Sequence, residues 1–253
     1  MFTNAILCSP CRSITEGLTT SDIGKPVYHL ALEQHSKYTE TLQPLGLKIR
    51  TIPAKEQFPD STFIEDVALC TSAFCTITNP GAPSRRGETA GMKEVMMEFF
   101  NSIEEIKLPG TLEAGDVMKT GNHFYIGISR RTNRDGADQL ISILQKHGFK
   151  GTKIPLNKML HLKSGVSYLE NNYLLVSGEF IIAREFDKFN KIIVDEDESY
   201  SANSLWINGK VLVADGFPKT REKIEKAGYE TMVLDVSEFR KVDGGLSCLS
   251  LRF

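Results

Sequence analysis

Short apolar strands, tight turns and amphipathic helices alternate along the chain, and one such unit is clearest near its middle. Two apolar runs, residues 117–120 and 123–128, flank the turn Gly121-Asn122, which predicts a β-hairpin. Apolar residues then repeat at helical spacing over residues 134–147, and Gly148 follows as a typical helix cap. The stripe consists of Ala137, Leu140, Ile141 and Leu144. The pattern predicts two antiparallel strands followed by a helix that packs on the sheet.

The same unit recurs elsewhere with varying clarity. The dipeptides Asn208-Gly209 and Asn171-Asn172 each lie between two apolar runs and predict further hairpins. The helix expected after the second of these hairpins, within residues 179–191, has the weakest signature. The other predicted elements are strand pairs over residues 62–80, 166–178 and 204–214, helices over residues 28–45 and 219–227, and a helical stripe of Met92, Val95, Met96 and Phe99.

The spacing of these units predicts the architecture. Helices return roughly every 50 residues, a period typical of repeated supersecondary units, and five units fit the 253 residues. No linker or low-complexity tract divides the chain, so we expect a single domain over residues 1–253. Alternating strands and helices indicate an α/β protein. Five units closing into a ring would surround one central cavity into which strand ends point.

Composition narrows the class of function. The chain has 41% hydrophobic and 25% charged residues and a net charge of -2, which is typical of soluble globular proteins. Nucleic acid is a poor candidate partner because its phosphate backbone normally requires a basic surface. The N-terminus lacks the pattern of a signal peptide, and no apolar run is long enough to span a bilayer. We therefore expect a cytoplasmic protein without a membrane partner.

Five cysteines, an odd number in a large domain, argue for reduced thiols rather than a disulfide framework. Cys8 and Cys11 have the spacing of half a zinc or redox site, but no second C-x-x-C accompanies them. We interpret both as structural thiols and expect no metal.

Polar residues interrupt several apolar strands at corresponding places in the repeat. Any one of these residues alone is more often a solvated group, a core histidine or a buried thiol. Their recurrence is informative because a ring would bring them together at its centre. The interrupting residues are Asp60, Glu65, Asp66, Glu113, Asp116, His161 and Cys248, and the arginine pairs Arg85-Arg86 and Arg130-Arg131 follow turns or precede a helix.

These side chains form a chemically coherent set. Cysteine and histidine are a common pair for covalent catalysis, with a carboxylate to orient the imidazole. A cluster of buried carboxylates favours a cationic substrate, and two arginines can hold a carboxylate. The sequence therefore predicts a small-molecule substrate with a cationic head and a carboxylate tail, which a guanidinium derivative of arginine satisfies.

Six motifs carry a resemblance over essentially the whole chain. They are FPDSTFIEDVAL, NPGAPSRRGE, LEAGDV, ISRRTN, LHLKSGVSYL and KVDGGLSCLSLRF. In this order and spacing they resemble those of the dimethylarginine dimethylaminohydrolases of bacterial type, members of the guanidine-modifying (pentein) superfamily. The resemblance implies a five-bladed α/β propeller of ββαβ units around a central active site. It also implies hydrolysis of Nω-methylated arginine to citrulline and a methylamine, without a metal or organic cofactor.

The resemblance assigns roles to individual residues. Cys248 resembles the nucleophile, His161 the general acid/base, and Glu113 the carboxylate that positions the histidine and the guanidino group. Asp66, with Glu65 beside it, resembles the group that binds guanidino nitrogens. The remaining matches are Asp60 at the amino-acid end of the substrate, Phe63 in the pocket wall, Arg85 and Arg131 on the α-carboxylate, and the backbone carbonyls of Leu18 and Val242 near the α-amino group.

Three further expectations can be tested. The glycines before Cys248 let the backbone approach the pocket closely, and we expect Cys248 itself to lie on a strand. Neighbouring carboxylates disfavour a thiolate, so we expect a neutral thiol until a cationic substrate binds.

An arginine deiminase is the main alternative function, although those enzymes are longer. A non-catalytic binder of arginine derivatives is a second alternative, and we expect a monomer or homodimer.

Overall fold

The computed structural model describes residues 1–253 and contains fifteen strands and five α-helices. The strands are β1 Asn4–Cys8, β2 Lys48–Ile52, β3 Ala68–Cys70, β4 Cys75–Ile77, β5 Ile103–Glu105, β6 Val117–Thr120, β7 His123–Ile128, β8 Lys150–Pro155, β9 Val166–Tyr168, β10 Tyr173–Val176, β11 Asn190–Ile193, β12 Leu205–Ile207, β13 Lys210–Ala214, β14 Glu230–Leu234 and β15 Leu251–Arg252. The helices are α1 Tyr28–Leu42, α2 Met92–Met97, α3 Arg134–Lys146, α4 Pro218–Lys226 and α5 Ser237–Arg240.

The strands form five three-stranded sheets, which we call blades 1 to 5 in chain order. In every blade the middle strand pairs antiparallel with one neighbour and parallel with the other, as β7 does with β6 and β8. A parallel pair needs a crossover connection, and in four blades a helix supplies it. Blade 1 differs because β15, from the C-terminus, provides the antiparallel partner of β1. The predicted α/β architecture of five repeated units is confirmed, with a helix in the crossover of four of them.

The predicted helix within residues 179–191 is wrong. Two short 3₁₀ turns, Gly178–Phe180 and Arg184–Phe186, replace it as the crossover between β10 and β11. Phe180 and Phe186 insert side by side into the core, with ring centroids 6.1 Å apart. The apolar spacing therefore serves two separate turns rather than the face of one helix.

Five apolar cores join the blades, and each core lies between two neighbours. Adjacent residues of a middle strand point to opposite faces, so Leu174 packs in the core toward blade 3 while Leu175 packs in the core toward blade 5. In the same way Ile6 faces blade 2, whereas Leu7 faces blade 5. The core between blades 5 and 1 closes the ring, and the strand ends meet at its centre.

None of the helices combines the length and the hydropathy that crossing a lipid bilayer requires.

Candidate active site

Cys248 lies in a one-turn 3₁₀ segment, Ser247–Leu249, directly before β15. The expectation that this cysteine lies on a strand is therefore wrong. The turn forms because the Cys248 N–H donates to the carbonyl of Gly245 at 3.1 Å, and it brings Sγ to 3.4 Å from the Gly245 N–H. The turn places the thiol before the start of β15, where it lines a cavity instead of pairing within the sheet.

Gly244 and Gly245 permit this turn through their lack of a side chain. A Cβ at Gly244 would lie 2.1 Å from the Phe63 ring, and a Cβ at Gly245 would lie 2.6 Å from Oδ1 of Asn203. Real Cβ atoms do not approach other atoms so closely. The expected close approach of this backbone is confirmed, and the groups it approaches are Phe63 and Asn203.

His161 is held between two buried carboxylates. Its Nε2 lies 3.4 Å from Oε2 of Glu113, and its Nδ1 lies 3.4 Å from Oδ2 of Asp116. Burial lowers the pKa of His161, but the negative charges of Asp116 and Asp66 outweigh that effect and raise it to about 9. The imidazole is therefore protonated at neutral pH and can act as an acid.

The other contacts of Asp116 fix it in place. Its Oδ1 accepts from the Leu162 N–H at 2.9 Å, and its Oδ2 accepts from the Ser129 hydroxyl at 2.6 Å. Because Asp116 is fully buried and its oxygens are bonded from two blades, it holds a fixed negative charge next to the imidazole on the side opposite Glu113.

Asp66 and Glu113 each face an arginine. The Arg85 Nη1 group donates to Oδ2 of Asp66 at 2.6 Å, while Arg131 Nη1 lies 3.3 Å from both carboxylate oxygens of Glu113. Burial raises the pKa of Asp66, but the charges of Arg85 and His161 outweigh it and hold that pKa at about 2. Asp66 is thus ionised throughout the physiological range.

Arg85 is almost entirely bonded within the protein. Besides Asp66, it donates to both carboxylate oxygens of Glu88 and to the carbonyls of Asp60 and Phe63. Its neighbour Arg86 donates instead to the carbonyl of Pro80 at 3.3 Å. Of the two predicted arginines, Arg131 is therefore the more exposed and Arg85 the more rigid.

Glu65 lies beneath the Cys248 turn rather than among the other acids. Lys163 donates to its Oε1 at 2.6 Å, Arg252 donates to the same oxygen at 2.8 Å, and the Ser247 hydroxyl donates to Oε2 at 2.8 Å. Arg252 also donates to the carbonyls of Ser247 and Ser250. Glu65 thereby ties both ends of the cysteine turn to blade 2.

The predicted amino-acid end of the site lies where residues 17–20 cross the C-terminal segment. The Leu18 N–H donates to Oδ1 of Asp60 at 3.0 Å. Burial raises the pKa of Asp60, opposed by the charge of Arg85. Val242 is buried and packs against the backbone at Gly17, and the Thr20 N–H donates to a carboxylate oxygen of Asp243 at 2.6 Å.

A cavity of about 60 Å³ brings the thiol and the imidazole together. Its lining includes Cys248, His161, Glu65, Lys163 and Tyr200. Burial raises the pKa of the Cys248 thiol, and the charges of Glu65 and Asp66 raise it further, against smaller lowering effects of the Gly245 N–H and Lys163. The thiol is therefore neutral at physiological pH, as the carboxylate-rich sequence pattern predicted.

Asp66, Glu113 and His161 are also the group whose geometry could hold a cation. Their ligand atoms lie within 4.8 Å of one another. Both carboxylates already face guanidinium groups, so the position suits a planar, delocalised cation that donates several hydrogen bonds to carboxylate oxygens.

Sequence reasoning missed four residues of this site: Asn203, Lys163, Ser247 and Arg252. Asn203 bonds the Ser247 N–H, the Ser247 hydroxyl and the Lys163 carbonyl, and so links the turn to blade 4. Lys163 lies within the motif LHLKSGVSYL and Arg252 within KVDGGLSCLSLRF, but charged side chains such as these are usually on the surface. A buried acid such as Glu65 needs a buried cation, and that requirement was the available signal.

Comparison with known proteins decides the family. A family model described as N,N dimethylarginine dimethylhydrolase, eukaryotic, matches residues 23–214. The N(G),N(G)-dimethylarginine dimethylaminohydrolase of Pseudomonas aeruginosa is 52% identical over 254 residues, covering 100% of both chains. This chain belongs to the dimethylarginine dimethylaminohydrolase family.

Solved structures of that family superimpose closely. A cysteine-to-serine mutant of the Pseudomonas aeruginosa enzyme complexed with citrulline has a TM-score of 0.99 at 52% identity and full coverage of both chains. A histidine-to-glycine variant of dimethylarginine dimethylaminohydrolase, solved as an adduct with S-methyl-L-thiocitrulline, has a TM-score of 0.98, again at 52% identity and full coverage. The pentein fold expected from the sequence resemblance is confirmed.

Proposed function

We propose that this protein hydrolyses asymmetric dimethylarginine and monomethylarginine to citrulline and the corresponding methylamine. The observation that carries the proposal is the meeting of Cys248 and an imidazolium at His161 on one cavity beside ionised carboxylates. The family, whose solved members include a citrulline complex and a thiocitrulline adduct, supports the same reaction.

The reaction proceeds in two halves. As substrate binds, the Cys248 thiol loses its proton to solvent. The thiolate attacks the guanidinium carbon, His161 delivers its proton to the methylated nitrogen, and the bond from carbon to that nitrogen breaks to release the amine. A thiouronium on Cys248 remains. His161, now neutral, takes a proton from water as the water oxygen bonds to the same carbon. The bond from carbon to sulfur then breaks, the departing thiolate takes the proton of the newly added hydroxyl group, and neutral citrulline is released.

The high pKa of the thiol makes its ionisation depend on substrate. Burial and the charges of Glu65 and Asp66 keep the thiol protonated in the free enzyme. A guanidinium placed between Asp66 and Glu113 brings a positive charge next to the sulfur and lowers the pKa of the thiol. The thiolate therefore forms mainly when there is a substrate to attack.

Substrate binding exchanges ion pairs inside the protein for new ones. The guanidinium takes the place of Arg131 on Glu113, and Arg131 turns to the substrate α-carboxylate, which Arg85 also helps to hold. Arg131 suits this part because its contact with Glu113, at 3.3 Å, is looser than the Arg85 contact with Asp66. The carbonyls of Leu18 and Val242 accept from the α-amino group, near Asp60, and Phe63 walls the pocket.

We further propose that the chain acts as a single cytoplasmic catalytic domain, as a monomer or homodimer, with no metal or organic cofactor. The group of residues that a metal could use is the one assigned here to the guanidinium. Activity that persists unchanged after extended treatment with a chelator supports a cofactor-free reaction, and activity restored only by added metal contradicts it.

The test is an assay of citrulline release from asymmetric dimethylarginine, monomethylarginine and arginine in parallel. Methylated substrates should have the higher kcat/KM. Arginine as the best substrate would instead indicate the deiminase alternative. Cys248→Ser should abolish turnover while methylated arginine still binds by calorimetry, and a variant that kept full citrulline release would exclude the covalent mechanism.

A further inference from the structure

A second pair of thiols lies in contact outside the active site. Cys70 at the end of β3 faces Cys75 at the start of β4, and their sulfur atoms are 4.0 Å apart. Cys70 is partly exposed, whereas Cys75 is fully buried. Nothing in the proposed reaction uses either side chain.

The position of the pair in the ladder matches the geometry of a cross-strand disulfide. Backbone hydrogen bonds join Thr71 to Phe74 on one side and Thr78 to Val67 on the other. Bonded pairs alternate with unbonded ones in an antiparallel ladder, which makes Cys70 and Cys75 an unbonded pair. In such pairs the Cα atoms are about 4.5 Å apart, within the range of disulfides, and both side chains point to the same face.

We propose that Cys70 and Cys75 are a reversible oxidation site that closes to an intramolecular disulfide when the protein meets a low-molecular-weight disulfide such as oxidised glutathione. Cys70 is the entry point because it is the more accessible of the two thiols. Cys75, already in van der Waals contact with the Cys70 sulfur, is positioned to resolve the mixed disulfide before a second small thiol reaches it.

The exchange is balanced without another reagent. The Cys70 sulfur attacks one sulfur of the small disulfide, whose S–S bond breaks to release one thiol. The Cys75 sulfur then attacks Cys70, forming the protein S–S bond and releasing the second thiol. Two electrons pass from the protein to the small disulfide, and the two protein thiol protons end on the released thiols.

The surroundings of Cys70 and Cys75 make the exchange slow, but they place the disulfide in a packed part of the fold. The hydrogen bond to the Cys75 sulfur and burial raise the pKa of Cys70, and the positive charge of Arg252 only partly opposes them. Little of the Cys70 thiolate is therefore present at any moment. Cys70 packs in the core between blades 1 and 2, together with Leu251 and Phe253. A disulfide here would fasten the hairpin that follows directly after Glu65 and Asp66 in the chain.

The chain contains its own matched control. Cys8 and Cys11 are closer in sequence to a redox motif, yet both are fully buried and bond to different backbone carbonyls, Cys8 to Pro53 and Cys11 to Phe58 and Pro59. Trypsin separates the two pairs, because residues 1–12 and 56–85 are different peptides and each contains two cysteines. One digest therefore reports on both pairs.

The experiment incubates reduced wild-type protein with excess oxidised glutathione overnight, alkylates the remaining thiols and digests without reduction. Peptide 56–85 should lose two hydrogens in mass and escape alkylation, while peptide 1–12 should carry two alkyl groups. Dithiothreitol should reverse the change. The melting temperature of the oxidised protein should rise by about 5 °C, because a covalent link constrains the unfolded chain.

Variants distinguish a disulfide from simple adduct formation. Cys75→Ser should accumulate glutathione on Cys70, and Cys248→Ser should still form the disulfide, since the nucleophile plays no part. The proposal is wrong if wild-type peptide 56–85 keeps two free thiols after oxidation, or if it retains a stable glutathione adduct. Either result is read from the wild-type chain, so it does not depend on a variant folding.

Discussion

The charge on His161 links the active site to the stability of the protein. Its pKa is about 9 in the folded state against about 6.5 for a free imidazole, so folding favours the protonated form. A pKa raised on folding stabilises the folded state fully below pH 6.5, and the contribution disappears as the pH rises through 9. From the size of the shift, the contribution is about 3 kcal/mol below pH 6.5.

Replacing His161 with Asn should reveal this dependence. The variant should have a lower free energy of unfolding than the wild type. This loss should be about 3 kcal/mol larger at pH 6 than at pH 9.5. Urea unfolding of both proteins across this range measures the difference, in which the other titrating groups largely cancel. A difference that does not change with pH would mean that Asp116 and Glu113 do not hold a cation at His161.

The thiol of Cys248 should titrate far above the range of an activated cysteine. Ultraviolet difference spectra of the free enzyme, with Cys248→Ser as the blank, should show no thiolate from this residue below pH 9 because burial and nearby acids raise the pKa. A saturating guanidinium or amidinium ligand should move the absorbance change to lower pH. A thiolate in the free enzyme below pH 7 would overturn substrate-assisted ionisation.

At the scale of elements, the turn that carries the nucleophile depends on the last strand. Arg252 on β15 donates to Glu65 and to two carbonyls of the turn region, those of Ser247 and Ser250. The Ser250 hydroxyl in turn bonds the buried Tyr38 of α1 at 2.7 Å. Arg252 thus acts on the reaction through the position of Cys248, without contacting substrate.

Arg252→Ala should therefore lower kcat by about 10- to 100-fold and change KM by less, since a small displacement of a nucleophile is costly. The loss of one counter-ion of buried Glu65 should also reduce the free energy of unfolding by about 2 kcal/mol. Arg252→Lys should recover part of the activity by retaining the charge. Arg50→Ala removes a surface arginine of β2 as the control, and an equal loss in both alanine variants would argue against positioning.

Sequence reasoning succeeded where a local pattern decides the structure and failed where a distant contact does. The Asn208-Gly209 turn and α3 follow from turn chemistry and helical spacing, and both are present. The turn at Cys248 was missed because it is stabilised by Asn203 and Glu65, which are remote in sequence. Lys163 could not be assigned to the site for the same reason, since its buried partner Glu65 becomes a neighbour only when the ring closes.

At the scale of the whole molecule, closure of the ring sets the geometry of the site. Cys248, His161 and Glu65 come from segments preceding blades 1, 4 and 2, and no single blade contains a complete site. Periodicity in the sequence predicted five units, but it carries no information on which core joins the last blade to the first. That junction is made by Leu7 and Ala5 of β1 with Ile207 and Leu212 of blade 5.

The ring also predicts that the chain can be opened at another blade. Blade 1 pairs β15 with β1 across the two termini, where Thr3 and Asn4 donate to the Phe253 carbonyl. Every other blade joins the corresponding strands by a turn, such as the exposed Gly121-Asn122 between β6 and β7. If residue 253 is linked to residue 1 and the chain is opened at this turn, the termini move from blade 1 to blade 3 and the strand pairing of both blades stays the same.

We expect such a permutant, with a linker of about six glycine and serine residues, to fold and to retain kcat/KM within about fivefold. A permutant opened between Gly244 and Gly245 should be inactive, because the cut releases the turn that presents Cys248 to His161. Circular dichroism and citrulline release compare the two proteins. Both permutants have the same linker, so the linker cannot cause a difference between them. An inactive permutant opened at Gly121-Asn122 would contradict the equivalence of the blades. An active permutant opened between Gly244 and Gly245 would contradict the dependence of the nucleophile on its turn.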